Sequence, residues 1–134
     1  MSQRFENKVV VVTGAAQGIG KACAVRFAAE GASVVIADRA EEQARKVQQE
    51  IIAQGGEASV CAVDLETSAG AKEVMQATVD IYGRIDVSVH NVGGTIWAKP
   101  FWQYPEDQIE KEINRSLWPT LWCCRAVLPF MIDS

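Results

Sequence analysis

No stretch of the 134 residues is apolar enough, for long enough, to span a bilayer, and no signal-peptide pattern precedes the first β-branched run. A basic excess is also missing. With 13 Lys and Arg against 17 Asp and Glu, the net charge is −4, which speaks against a nucleic-acid partner. There is one histidine, and the four cysteines, at 23, 61, 123 and 124, make no C-x-x-C or Cys/His cluster, so no metal site is expected. Cys23, Cys61 and Cys124 fall among apolar neighbours and read as small buried thiols. Cys123 and Cys124 lie in a helical stretch and point about 100° apart, which disfavours a disulfide between them. Repeats of solenoid period and low-complexity segments are absent as well. What is present, 49% hydrophobic and 22% charged residues, suits one ordinary globular domain with a core. A reducing cytoplasm is the compartment these features favour.

Short apolar runs alternate with longer amphipathic ones. Val9-Val10-Val11-Val12 is a β-branched run stopped by Thr13-Gly14, the signature of a strand buried on both faces. Residues 18–30 favour helix, closed by Gly31, and Ser33 to Ala37 form a second strand. A helix is expected from Ala40 to about Gln54, with Ala44, Val47 and Ile51 on one face, ended by Gly55-Gly56. Ala58 to Val63 reads as a third strand. Ser68 then caps a third helix in which Ala71, Val74, Thr78 and Ile81 share a face up to Gly83, and Ile85 to His90 is a fourth strand. Strands and helices joined by short connections imply βαβ units. Right-handed crossovers then give a doubly wound parallel sheet of order 3-2-1-4, an α/β fold of Rossmann type. An irregular stretch from Val92 to Pro105 is long enough to suggest function. One long final helix follows, with a buried stripe of Ile109, Ile113, Leu117, Leu121, Cys124, Leu128 and Met131, a kink at Pro119, and Trp118 stacked on Trp122.

The first strand-to-helix turn reads Thr13-Gly14-Ala15-Ala16-Gln17-Gly18-Ile19-Gly20. A glycine-rich turn opening a helix offers unpaired N–H groups and the positive end of the helix dipole to a phosphate. Gly14 permits the tight turn, Gly18 lets the backbone approach a pyrophosphate, and Gly20 lets the helix pack on the strand. Asp38 ends the second strand, where an acidic residue accepts hydrogen bonds from the adenosine ribose and repels a 2′-phosphate, which points to NAD. Arg39 leaves NADP open, since it could pair with that phosphate or stack on adenine.

Taken with Asp64 and His90-Asn91-Val92-Gly93, this turn resembles the short-chain dehydrogenase/reductase family along essentially the whole chain. The His90 stretch stands where that family has N-N-A-G, and Asn91 and Gly93 match it. The resemblance implies an NAD-dependent oxidoreductase, with Asp64 at the adenine amino group and Asn91 and its neighbours flooring the cofactor site. Asp64 can also be read as a turn former, Asn91 as a strand-end residue and His90 as a structural histidine. Residues 93–101 and 116–125 are further similar to the benzoate cis-dihydrodiol dehydrogenases of aromatic catabolism. That similarity implies oxidation of a dihydroxycyclohexadiene carboxylate towards a catechol, a homo-oligomeric parent enzyme, a small-molecule substrate and no membrane partner. Lys99 is the candidate partner for the substrate carboxylate. Ser116 stands where the family has a helix asparagine that supports catalysis.

The family's acid/base pair, a tyrosine followed four residues later by a lysine, does not occur: Asp86 follows Tyr82 and Gln108 follows Tyr104 at that spacing. The expectation is therefore an incomplete NAD-binding Rossmann domain over residues 1–134, a fragment with no catalytic residue of its own and no hydride transfer alone. Two alternatives stand beside it: a non-catalytic NAD-binding or interaction module, and a member acting on another alcohol or ketone.

Overall fold

The computed structural model describes residues 3–94 and 98–134. Four parallel strands, β1 (Val9–Thr13), β2 (Ser33–Ala37), β3 (Glu57–Cys61) and β4 (Val87–Val89), form one sheet in the order β3-β2-β1-β4, as the sequence predicts. Helices α1 (Gly18–Ala29), α2 (Glu41–Ala53) and α3 (Ser68–Tyr82) make the crossovers; a short 3₁₀ turn (Phe101–Gln103), α4 (Glu106–Ser116) and α5 (Trp118–Ile132) follow β4.

The pleat of β1 explains the two layers. Alternate side chains leave opposite faces, so Val10 and Val12 enter a core with Ala24, Ala28, Val47 and Ile51 from α1 and α2. Val11 enters a second core with Val74 and Met75 of α3 and Cys123 and Val127 of α5. Val10, Val11 and Val12 are fully buried, and burying each valine stabilises the fold by roughly 1.5–3 kcal/mol. β1 also lies between β2 and β4 in the sheet, enclosed on both edges as well as both faces, which is why β-branched residues fill it. The chain turns at Gly83, whose left-handed φ of 81° ends α3 as a C-terminal glycine does.

Several local expectations are corrected. The cap of α3 is Thr67, whose Oγ1 accepts from the Gly70 N–H at 3.0 Å, and Ser68 is the first helical residue. Thr67 wins because its hydroxyl also donates to the Asp64 carbonyl at 2.9 Å, closing the turn that enters the helix. On the same helix Met75 is buried and Ile81 is exposed. The long final helix is present but interrupted at Leu117, because Pro119 has no N–H to give the Arg115 carbonyl; the proline sits in the first turn of α5. The expected stripe does not face inward. Ile113, Leu117, Leu121 and Leu128 are exposed, and α5 buries Pro119, Cys123 and Val127, the last two in the core shared with α3. An α5 that is apolar nearly all round carries no periodic signal of its inner face. For the same reason the buried thiol is Cys123, pushed up to about 11 by burial, while Cys23, Cys61 and Cys124 are half-buried and free. Trp118 and Trp122 do stack, with ring centroids 5.0 Å apart.

The cap assignment has a direct test in urea unfolding of the intact protein. Thr67→Ala should cost about 1 kcal/mol, and Ser68→Ala less than about 0.5 kcal/mol. The reverse ranking would return the cap to Ser68.

Candidate nucleotide-binding site

At the C-terminal edge of the sheet the chain switches direction between β1 and β4, the place where open α/β sheets bind ligands. The turn after β1 is held there by a small hydrogen-bonded knot. Thr13 is buried, its Oγ1 accepting from the backbone N–H of Asn91 at 2.8 Å and of Val92 at 3.3 Å and donating to the Val89 carbonyl at 3.2 Å. Asn91 returns the tie, its Nδ2 donating to the Gly14 carbonyl at 3.3 Å. That carbonyl lies against Gly20: a Cβ there would collide with it and stand 2.6 Å from Asn91 Nδ2. Gly14 itself needs its φ of 65°, and its N–H donates to the Ala37 carbonyl of β2 at 2.8 Å.

The knot presents the first turn of α1 to an open cleft of about 400 Å³. Gln17 precedes the helix in extended backbone and gives no side-chain cap, and the first turn carries no acidic residue. Its N–H groups therefore lack the side-chain acceptor that most helices supply. Gly18, with φ of 58°, has nothing within 4 Å of where a Cβ would stand. Ile19 is 75% exposed at the cleft wall. Bare backbone donors, a positive dipole end and room for close approach suit a diphosphate, so these residues fit the group that the motif implies.

The structure brings most of the sequence-predicted residues to this one cleft. Gly14, Asn91 and Gly93 line it together with Gln17, Gly18 and Ile19, and Asp38 and Asp64 stand in its wall. Thr13 and Gly20 lie behind the lining and shape it instead. Asp38 also has a structural duty: its two carboxylate oxygens accept from the Ala16 N–H at 3.1 Å and the Ala40 N–H at 2.9 Å, fixing the carboxylate at the end of β2. Asp64 accepts from the Glu66 N–H at 3.0 Å, so it forms a turn and lines the cleft at once. Arg39, 64% exposed in its side chain, lies 3.6 Å from the Glu66 carboxylate.

Other predicted residues stand apart from the lining. His90 has both ring nitrogens partnered, Nε2 with Ser88 Oγ at 2.8 Å and Nδ1 with Cys124 Sγ at 3.4 Å, and burial holds it below the ordinary imidazole value. Ser116 Oγ accepts from the Gly94 N–H at 3.2 Å and donates to the Gly94 carbonyl at 3.3 Å, so it anchors the chain after β4 to the end of α4. Lys99 lies 5.6 Å from the centre of the Tyr104 ring; Thr95, Ile96 and Trp97 of its loop lie outside the described residues. The sequence pattern does not mark Val63, Leu65, Glu66 and Arg115, which also line the cleft. For the first two, a buried pair beside Asp64 was the available signal; Arg115 arrives on α4 by tertiary packing and had none.

Comparison with known proteins agrees with this geometry. The pattern of the short chain dehydrogenase family matches residues 8–134. The chain is 53% identical over 131 residues to a 1,6-dihydroxycyclohexa-2,4-diene-1-carboxylate dehydrogenase of Acinetobacter baylyi, covering 98% of this chain and 50% of that protein. It is 48% identical over 133 residues to the enzyme of the same name from Pseudomonas putida, covering 99% and 49%. Identity to a 3beta-hydroxysteroid dehydrogenase of Mediterraneibacter gnavus is 33%, covering 98% and 48%. The chain thus spans about half the length of the curated relatives it matches. Among solved structures, a hydroxysteroid dehydrogenase from Escherichia coli superposes with a TM-score of 0.91 at 30% identity, covering 98% of this chain and 55% of that one.

Two glycines separate shape from binding. Gly18→Ala meets no atom and should cost about 1 kcal/mol of stability from its left-handed φ, yet weaken NAD binding at least about tenfold by intruding on the cleft. Gly20→Ala must displace the Gly14 carbonyl and should cost about 3 kcal/mol in stability. Thermal melts and NAD titrations of the intact protein read both. Equal stability losses with unchanged affinity for Gly18→Ala would place the cofactor elsewhere.

Proposed function

This chain belongs to the short chain dehydrogenase family, and on that premise we propose that it is the nucleotide-binding half of an NAD-dependent cytoplasmic dehydrogenase that oxidises a cis-dihydrodiol carboxylic acid in aromatic (benzoate) degradation. One observation carries the substrate class. Identity is 53% and 48% to two dehydrogenases named for a dihydroxycyclohexadiene carboxylate, and 33% to the hydroxysteroid enzyme.

When bound, NAD supplies the acceptor for the hydride leaving the carbinol carbon of the diol. The residues of this chain bind and orient it. The α1 N-terminus meets the diphosphate, Asp38 accepts from the adenosine ribose hydroxyls, Asp64 faces the adenine edge, and Asn91 and Gly93 floor the site beside it. Asp38 supports NAD over NADP because its carboxylate would face a 2′-phosphate with like charge, while Arg39 is turned towards Glu66. The hydroxyl proton needs a base, and residues 1–134 contain no Y-x-x-x-K. That step is therefore assigned to the parent protein beyond these residues. Loss of the hydride and this proton leaves a keto acid, which sheds its carboxyl group as carbon dioxide and becomes a catechol.

The test is NAD reduction by the intact protein with the dihydrodiol carboxylate, with catechol and carbon dioxide measured as products. The proposal expects turnover and at least about a tenfold preference for NAD over NADP, about 1.4 kcal/mol, narrowed by Asp38→Ala. Turnover only of an unrelated alcohol or ketone would replace the substrate class. NAD binding with no turnover of any alcohol would favour a non-catalytic binding module. Equal use of both cofactors would remove the role of Asp38.

Within the same reading Lys99 pairs with the substrate carboxylate. Lys99→Met should raise KM for the acid substrate several-fold more than for an uncharged cis-diol. A parallel change for both would mean that Lys99 does not meet the carboxylate.

A further inference from the structure

One cationic side chain of the cleft, Arg115, has no part in the nucleotide site described above. Arg115 lies in the last turn of α4 and lines the same cleft as Gly18 and Asp38. A cation at a helix C-terminus complements the macrodipole, and that would explain it on an ordinary surface. Here the end of α4 is also fixed against the floor of the site. Ser116, the next residue, exchanges hydrogen bonds with both backbone groups of Gly94, and a Cβ on Gly93 would touch its Cα at 3.4 Å. The position of Arg115 at the cleft is thus set by the residues that floor it.

The ionisable side chains of the cleft are Asp38, Asp64 and Glu66 against Arg39 and Arg115. Arg39 lies 3.6 Å from Glu66, and Lys21 of α1 pairs with Glu50 at 3.1 Å. Among the described residues no carboxylate forms an ion pair with Arg115. A dinucleotide brings two negative charges on its diphosphate into this acidic surrounding. The glycine turn meets them with dipoles alone, equivalent to about half a charge at the helix end. Resting on the nucleotide-site reading above, we infer that Arg115 is a cofactor-affinity residue whose guanidinium supplies the positive charge for the diphosphate that the glycine turn lacks. A forked, always-charged donor suits a phosphate group, and its contribution should weaken with salt.

Calorimetric titration of the intact protein with NAD, ADP-ribose and adenosine, each at low and high salt, tests this. Arg115→Gln should weaken NAD and ADP-ribose by about tenfold and flatten their salt dependence. Adenosine, which has no phosphate, should bind the variant as it binds the native protein, which also shows that the cleft is still formed. Arg115→Lys should recover most of the loss, since it restores the charge. Unchanged NAD affinity in Arg115→Gln overturns the inference, and so does an equal loss for adenosine, which would place the guanidinium on the base. If the native protein binds none of the three ligands, the nucleotide site itself is wrong, and that result appears before any substitution is made.

Discussion

The contact between the Gly14 carbonyl and the Cα of Gly20 decides the rest of the site. It brings α1 so close to β1 that no side chain fits between them, and Asn91 closes the gap from β4 through the same carbonyl. Thr13 completes the arrangement from below, holding Asn91 and Val92 by their N–H groups. Turn, helix and fourth strand are therefore one unit, and the unpaired N–H groups of α1 point into a cleft whose shape cannot relax without breaking several buried hydrogen bonds. A rigid row of donors of this kind binds an anion with little ordering cost at the moment of association.

Much of this was legible because each element carries its own local signal. Val9 to Val12 could only be a doubly buried strand, and glycines at 14, 18 and 20 between such a strand and a helix have few other uses. Once four strands and their crossovers are read, handedness leaves the order 3-2-1-4 as the natural solution. Legibility ended where neighbours compete or tertiary packing decides. Thr67 and Ser68 are chemically equivalent caps in sequence, and only the Asp64 carbonyl selects the first. The inward face of α5 is chosen by α3, since Leu121, Leu128, Cys123 and Val127 are all apolar enough to be buried. Arg115 reaches the cleft because the Gly93-Gly94 backbone docks the end of α4, a contact between segments more than twenty residues apart. The motif residues themselves divide in a way that spacing does not reveal: Gly14 and Gly18 line the cleft, whereas Thr13 and Gly20 build it from behind.

Asp38 shows how a residue that lines the cleft can also hold the fold. Its carboxylate accepts from Ala16 in the glycine turn and from Ala40 before α2, so it is oriented before any ligand arrives. A carboxylate held in this way presents its remaining acceptor positions at a fixed place, and the preference for NAD proposed above rests on that fixed position. The buried β1 core beneath it, with Val10, Val11 and Val12 fully enclosed, gives the whole edge its rigidity.

The central claim is that the N–H groups at the start of α1 meet the diphosphate of the cofactor. Amide hydrogen exchange of the intact protein, with and without NAD, observes those groups themselves. The account predicts strong added protection at Gly18, Ile19 and Gly20, with smaller gains around Asp38 and Asn91 to Gly93. Exchange at the α1 N-terminus that stays the same while NAD is bound, with protection appearing at another face of the sheet, would contradict it.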